Sequence, residues 1–311
     1  MKKKLISIVT PTYNEEDNID ELYSRIKLVT SNLQDYIFEI IVIDNSSTDN
    51  TSRKLKAIAE KDKSFKVILN EKNFGHLRSP VHGMSQSYGD AVILISSDLQ
   101  DPPENIPLFI KKWEEGFRAV LAVKNNSDET PVMFLMRKVY YTFLNLISET
   151  KTIKNATGAG LFDKFIIDIL RSSNDSEPYF RGWLCEITDS IATVEFIQPK
   201  RKRGKTKNNF FTLFDLAILG ITNHSKLPLR LMTFGGFLIS ILSIFTAIFY
   251  ILLKLFVWES LDMGTAPLLI GVFFFGAMQA FFIGILGEYI GTIHTRVRNM
   301  PLVIEKERIN F

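Results

Sequence analysis

The chain has 311 residues, with 37 Lys and Arg against 34 Asp and Glu, for a net charge of +3. That surplus is too small to argue for a nucleic-acid partner, and the length allows one sizeable domain plus an appendage. The single cysteine, Cys185, excludes an intrachain disulfide framework and points to a reducing compartment for the soluble part.

In chain order, the basic start Met1-Lys2-Lys3-Lys4 runs straight into Leu5-Ile6-Ser7-Ile8-Val9. This apolar run is too short for a signal-peptide core and lacks a small-residue cleavage site, so it reads as a first strand. Residues 5–10, 38–43, 65–69, 91–95 and 119–123 are short apolar or β-branched runs. Between them, residues 15–31, 49–61, 80–88 and 103–115 carry helical spacing, as Ile19, Leu22, Ile26 and Val29 illustrate. The alternation predicts a mostly parallel sheet with helices on both faces. Right-handed crossovers then bring every strand-to-helix loop to one edge.

Three of those loops are rich in polar groups: Pro11-Thr12-Tyr13-Asn14-Glu15, Asp44-Asn45-Ser46-Ser47-Thr48-Asp49 and Ser96-Ser97-Asp98-Leu99-Gln100-Asp101. No G-x-G-x-x-G follows the first strand and no P-loop is present, which removes dinucleotide oxidoreductases and P-loop enzymes. The third loop leaves an apolar strand at the edge where open α/β sheets bind ligands. Asp98 and Gln100 could hold a hard divalent cation, which would in turn hold a diphosphate. The competing reading is a capped turn, with Asp101 or Pro102-Pro103 starting the next helix. For Asp44 and Asn45 the competing reading is an Asx-turn or a cap before Thr51.

The last third is different. The stretch Lys200-Arg201-Lys202-Arg203-Gly204-Lys205-Thr206-Lys207 is basic and allows anionic lipid, nucleic acid or a substrate phosphate as partner. Nucleic acid is the poorest fit, because no aromatics interleave the charges. Residues 210–217 read as an amphipathic helix in a membrane interface. Residues 231–253 and 264–287 carry no charge and are apolar around the whole circumference. Each is long enough to cross a hydrocarbon core of about 30 Å. Lys226, Arg230, Arg296 and Arg298 flank the pair, whereas the connecting loop holds Glu259 and Asp262 against Lys254. The positive-inside rule predicts a two-span hairpin with both termini in the cytoplasm. The expected division is a cytoplasmic domain over 1–208, juxtamembrane helices over 209–229, the hairpin over 230–294 and a cytoplasmic tail over 295–311.

Taken in order, Ser7-Ile8-Val9-Thr10-Pro11-Thr12-Tyr13-Asn14-Glu15-Glu16, Ile41-Val42-Ile43-Asp44-Asn45-Ser46-Ser47-Thr48-Asp49-Asn50-Thr51, Asn73-Phe74-Gly75, Gly89-Asp90-Ala91, Asp98-Leu99-Gln100-Asp101-Pro102-Pro103-Glu104, Arg203-Gly204-Lys205-Thr206-Lys207 and Pro228-Leu229-Arg230-Leu231 form an ordered set. The set resembles family 2 glycosyltransferases of the GT-A, Rossmann-like nucleotide-sugar-binding fold. Within them it resembles the membrane-anchored polyprenyl-phosphate glycosyltransferases, the group of bactoprenol glucosyltransferase and dolichol-phosphate mannose synthase.

The resemblance implies an α/β GT-A domain, amphipathic juxtamembrane helices and a two-helix transmembrane hairpin in the inner (plasma) membrane. It implies inverting transfer from a nucleotide-sugar, a UDP-sugar, to polyprenyl phosphate for cell-surface glycan modification. Pro11, Tyr13 and Glu15 would line the base and ribose, and Asp44 would accept a hydrogen bond from the base. Asn14, Asn45, Ser46 and Ser97 would complete the donor site. Asp98 and Gln100 would ligate Mg²⁺ or Mn²⁺. Lys124 and Arg137 would meet the acceptor phosphate, and Arg203, Lys205 and Lys207 would bind phosphate. Association of copies of the chain is left open.

Three departures stand out. Ser96 replaces the first acid of the family's Asp-x-Asp. Asp44-Asn45 stands for a pair of aspartates. Thr157-Gly158-Ala159-Gly160-Leu161-Phe162-Asp163-Lys164 lacks the acid and arginine of the family's Gly-Asp-Phe-Arg-Leu. These departures support the alternative of a non-catalytic membrane scaffold that keeps the fold. A processive polysaccharide synthase fits poorly, because it needs more spans and a Gln-x-x-Arg-Trp motif.

Overall fold

The computed structural model describes residues 3–124, 153, 155–173, 180–199, 222, 225–256, 265–298 and 300–311. The chain runs β1 (Lys4–Thr12), α1 (Ile19–Ser31), β2 (Tyr36–Asp44), α2 (Thr51–Lys61), β3 (Phe65–Asn70), α3 (Gly75–Ser85) and β4 (Ala91–Leu94). A 3₁₀ turn (Pro103–Asn105) leads into α4 (Ile106–Glu114), then β5 (Ala119–Lys124). After β6 (Ala156–Asp163) come α5 (Lys164–Ser172), α6 (Phe180–Ile187) and β7 (Ile191–Phe196). Two long helices follow, α7 (Leu227–Phe256) and α8 (Thr265–Val297), and β8 (Glu305–Ile309) ends the order.

The strands form one sheet in the order β7-β5-β6-β4-β1-β2-β3-β8. β1 pairs in parallel with β2 and β4, β2 with β3, and β5 with β7. β6 lies antiparallel between β4 and β5, and β8 antiparallel on β3. The sheet is therefore mixed, and its parallel centre matches the α/β expectation.

Central strands are largely apolar because both sheet faces are covered. Period-2 alternation splits them between two cores. Ile40 and Val42 enter the layer shared with α1, α2 and α4, while Ile41 and Ile43 enter the layer shared with α3, α5 and α6. Two glycines are required by close approach. A Cβ on Gly160 (φ 157°) would lie 2.0 Å from the Val120 carbonyl oxygen, and one on Gly89 would lie 2.7 Å from Ser7 Oγ.

Two elements differ from the sequence expectation. α3 begins at Gly75, not Pro80, so Pro80 sits inside the helix. The start is set by a turn: Gly75 has φ 85°, and its N–H donates to Asn73 Oδ1 at 2.8 Å. The tail also adds strand β8 to the sheet edge, with Glu71 N–H donating to the Ile304 carbonyl at 2.9 Å.

A side-chain cluster fastens β8. His82 Nε2 lies 2.5 Å from Glu305 Oε1, and Arg308 pairs with Glu305 and donates to Gln86 at 2.7 Å. Burial pushes the Glu305 carboxyl up, but Arg308 and His82 outweigh it and hold the group below the ordinary glutamate range. A depressed carboxylate adds stability that is present above its unfolded value, about 4.3, and is lost as pH falls through the folded value. Glu305→Gln should therefore speed exchange of the β8 amides near neutral pH. Its difference from wild type should shrink as pH falls from about 4.3 through the lowered folded value; a difference independent of pH would contradict the charge assignment.

α7 and α8 have 30 and 33 residues, about 45 and 50 Å at 1.5 Å per residue. Both are long and apolar enough to cross a membrane, and large side chains such as Phe234, Phe245 and Phe273 are exposed on them. α8 continues past residue 287, and Tyr289 Oη donates to the Ser225 carbonyl at 2.7 Å. The loop at 257–264 and the amphipathic stretch at 210–217 lie outside the described residues.

Candidate functional site

The parallel centre fixes where a ligand can sit. β1 has β2 on one side and β4 on the other, and the chain moves outward in both directions. This is a topological switch point, and the crevice lies beyond the strands' carboxyl ends. Register places Thr12 beside Asp44 and Val9 beside Leu94, so the three polar loops emerge together.

Each loop contains a non-glycine residue in the left-handed region: Asn14 (φ 55°), Ser46 (φ 63°) and Leu99 (φ 62°). Asn155 (φ 59°), just before β6, lies at the same edge. Such conformations cost on the order of 1–3 kcal/mol each and cluster where function needs a set geometry. For Leu99, which is buried, the strain is sharpest.

Asp44 is buried at the end of β2. Its carboxylate accepts 2.5 Å hydrogen bonds from the Ser47 and Ser52 hydroxyls. Burial pushes its pKa up and those bonds oppose the shift. The Asx-turn reading holds, because Ser47 N–H also donates to it.

Asn45 is buried and bonded in several directions. Its Oδ1 accepts from Phe74 N–H (2.8 Å), the Asn70 amide (3.1 Å) and the Ser79 hydroxyl (3.1 Å), while its amide donates to Asn73 Oδ1 (2.8 Å). It braces the β2 loop against the turn that opens α3. Asn14 does similar work between the first two loops: its N–H donates to Ser47 Oγ at 2.8 Å and its Oδ1 accepts from Thr48 N–H at 2.8 Å. Buried Glu15 accepts from the Asn18 amide at 2.6 Å. Pro11 and Tyr13 are half-buried at the end of β1 and just beyond it.

The third loop centres on Ser96. Its hydroxyl lies 2.8 Å from Asp98 Oδ1 and 2.6 Å from Asp101 Oδ2, and Gln100 N–H donates to Asp98 Oδ1 at 3.1 Å. Ser97 is buried. Burial pushes the Asp101 carboxyl up, opposed by side-chain hydrogen bonds from Ser96 and Thr157.

No cluster of three or more His, Cys, Asp or Glu occurs among the described residues. The oxygen donors that remain still suit Mg²⁺ or Mn²⁺. Among the described residues, Asp98 Oδ2 and the Gln100 side-chain amide have no protein hydrogen bond, leaving one carboxylate and one amide oxygen available. Mg²⁺ commonly takes one or two protein ligands and completes its shell with substrate phosphates and water.

A cavity of about 230 Å³ opens beside this loop, lined in part by Pro11, His76, Ser96, Asp101, Thr157 and Phe180. His76 and Phe180 were not among the expected site residues. Their place depends on α3 starting early and on α6 packing at the crevice, neither of which leaves a local signal. Lys124 ends β5 at the same carboxyl edge, two strand spacings (about 10 Å) from β4, and its N–H donates to the Asn155 carbonyl at 3.2 Å. Arg137, Arg203, Lys205 and Lys207 lie outside the described residues.

Replacing Ser96 by aspartate would set a third carboxylate against two others. Like charges 4 Å apart repel by about 4 kcal/mol at an effective dielectric of 20. The metal-free Ser96→Asp protein should melt lower than wild type and gain more from added Mn²⁺. An equal Mn²⁺ gain in both proteins, read by thermal shift, would remove position 96 from the metal's surroundings.

Fold and edge loops together define the class, an α/β domain with polar loops at a topological switch point and two membrane-length helices. The chain belongs to glycosyl transferase family 2, whose family model matches residues 7–169. It is 33% identical over 305 residues to the SfII prophage-derived bactoprenol glucosyl transferase of Shigella flexneri, covering 97% of each chain. It is 32% identical over 305 residues to a prophage bactoprenol glucosyl transferase homolog of Escherichia coli, covering 97% of this chain and 98% of the relative. An uncharacterized glycosyltransferase of Synechocystis is 32% identical over 300 residues, 96% and 94% of the two chains. The protein is a glycosyltransferase.

Proposed function

We propose that this glycosyltransferase moves a sugar from a UDP-sugar to polyprenyl phosphate at the cytoplasmic face of the inner membrane, with inversion, giving a polyprenyl-monophosphate sugar for cell-surface glycan modification. The observation that carries the proposal is the convergence of the Asp44 and Asp98 loops at one edge of a chain that ends in two membrane-length helices. The near full-length likeness to relatives named bactoprenol glucosyl transferase supports the acceptor class.

A lipid phosphate is already ionised at neutral pH, so the nucleophile needs no general base. The obstacle is repulsion between that phosphate and the nucleotide diphosphate, and cationic side chains at the site answer it. Lys124 sits at the edge where the acceptor would arrive, with Arg137 assigned beside it by family likeness. Arg203, Lys205 and Lys207 are assigned to phosphate in the same way. Asp44 accepts a base N–H, and Pro11, Tyr13, Asn14, Glu15 and Ser46 shape the base and ribose pocket. Asn45 positions this loop, and Ser97 supports the third. Asp98 and Gln100 would hold Mg²⁺ or Mn²⁺, which when bound would offset charge on the diphosphate leaving group. The acceptor phosphate oxygen forms the new bond to the anomeric carbon as the bond to the nucleotide diphosphate breaks, on opposite faces of the sugar.

A panel of nucleotide sugars with Mn²⁺, read by thermal shift, tests the donor half. Bound donor stabilises by mass action, about 2.7 kcal/mol at a hundredfold excess over Kd. One uridine donor should stabilise well above the others, and Asp44→Ala should lose that gain. Stabilisation by no nucleotide sugar would count against the donor assignment.

A further inference from the structure

A second cavity, of about 220 Å³, lies between the end of α8 and the start of α3. Its lining includes Lys72, Phe74, Arg78, Arg298, Met300 and Ile304. Lys72, Arg78 and Arg298 bring three cationic side chains to one space. The Lys72 ammonium lies 5.3 Å from the centre of the Phe74 ring.

The apolar half of the lining points to a lipid over a free ion. Met300 and Ile304 are about half exposed, and Val297, at the end of α8, is 76% exposed. Exposed apolar side chains beside cations, at the end of a membrane-length helix, suit acyl chains below and a phosphate above. The backbone is also held in place here, because Glu71 N–H donates to the Ile304 carbonyl and β8 pairs with β3.

We propose that Lys72, Arg78 and Arg298 form a phosphate-binding site for the headgroup of an anionic membrane lipid, docking the sheet domain against the bilayer beside α8. The proposal rests on reading α7 and α8 as membrane spans. Its readout is lipid binding, not sugar transfer, so its failure and that of the transferase reading are distinguishable.

The full chain in detergent would be titrated with dioctanoyl phosphatidylglycerol, dioctanoyl phosphatidylcholine or inorganic phosphate, and followed by thermal shift. Phosphatidylglycerol should raise Tm saturably by about 5 °C over phosphatidylcholine, with little effect of inorganic phosphate. The Arg78→Gln/Arg298→Gln variant should lose at least half of that shift, and Arg78→Lys/Arg298→Lys should keep most of it, which separates charge from packing. An equal shift in wild type and the glutamine variant would overturn the site. Protection by inorganic phosphate as strong as by phosphatidylglycerol would overturn the lipid and assign the pocket to a free anion. Should the double glutamine variant not fold, Lys72→Gln alone carries the same comparison.

Discussion

Asp98→Ala is expected to lower kcat/KM at least about a thousandfold, roughly 4 kcal/mol of transition-state stabilisation, while leaving the protein folded. Asp98 is half-buried, and within the protein its carboxylate accepts only from Ser96 and Gln100 N–H among the described residues. Losing two such bonds at a solvent-accessible loop costs about 1 kcal/mol each, too little to unfold the sheet. The catalytic loss would come from the missing carboxylate ligand for the divalent cation that would offset charge on the diphosphate. Asp98→Asn separates the two effects, since its carbonyl can still accept both bonds. It should melt like wild type and still fail to turn over. Near-normal turnover in Asp98→Asn would remove the carboxylate from the chemistry.

Asn45→Ala is expected to be the most damaging of the loop substitutions for stability, by about 3 kcal/mol, or roughly 6–12 °C in Tm for a domain of this size. Asn45 is buried, and its removal would leave the Asn70 amide, Phe74 N–H, Ser79 hydroxyl and Asn73 carbonyl without their shared partner. The effect should reach the cavity, because these bonds fix the turn that starts α3 and places His76. Asn45→Asp keeps the acceptor oxygen but turns the amide donor into a second acceptor facing Asn73, and should lie between the two. A Tm within 2 °C of wild type for Asn45→Ala, read by calorimetry, would contradict the bracing role.

The parallel centre of the sheet was legible because strands buried on both faces read as near-continuous apolar runs, as Ile40-Ile41-Val42-Ile43 of β2 does. β8 was not: Glu305-Lys306-Glu307-Arg308-Ile309 is charged, as an edge strand often is, and only pairing with β3 reveals it. The antiparallel insertion of β6 likewise depends on a long-range pairing, allowed by Gly160 where its neighbour's carbonyl leaves no room for a Cβ. α3 was misplaced because Pro80 carries a helix-start signal, while the real start is imposed by Asn45 from across the sheet.

In the site, the position of Asp44 and Asp98 at strand exits was legible in the sequence, whereas the donor role of Asp44 came only from the family resemblance. The bracing by Asn14 and Asn45 was not legible, since it joins loops about thirty residues apart in sequence. Ser96 has gained a clear structural role. It bridges two carboxylates where the family pattern places a third, so the departure changes how the loop is held without removing Asp98 from the edge.

The most direct measurement is transfer itself. Purified protein would be incubated with a labelled UDP-sugar, undecaprenyl phosphate and Mn²⁺, and the lipid fraction analysed by mass spectrometry and by NMR of the anomeric carbon. The account predicts a monophosphate-linked product of inverted configuration, formed with the polyprenyl phosphate and lost in Asp98→Ala. A folded protein that stabilises with donor yet forms no lipid-linked sugar, or forms one equally well without Asp98, would contradict it.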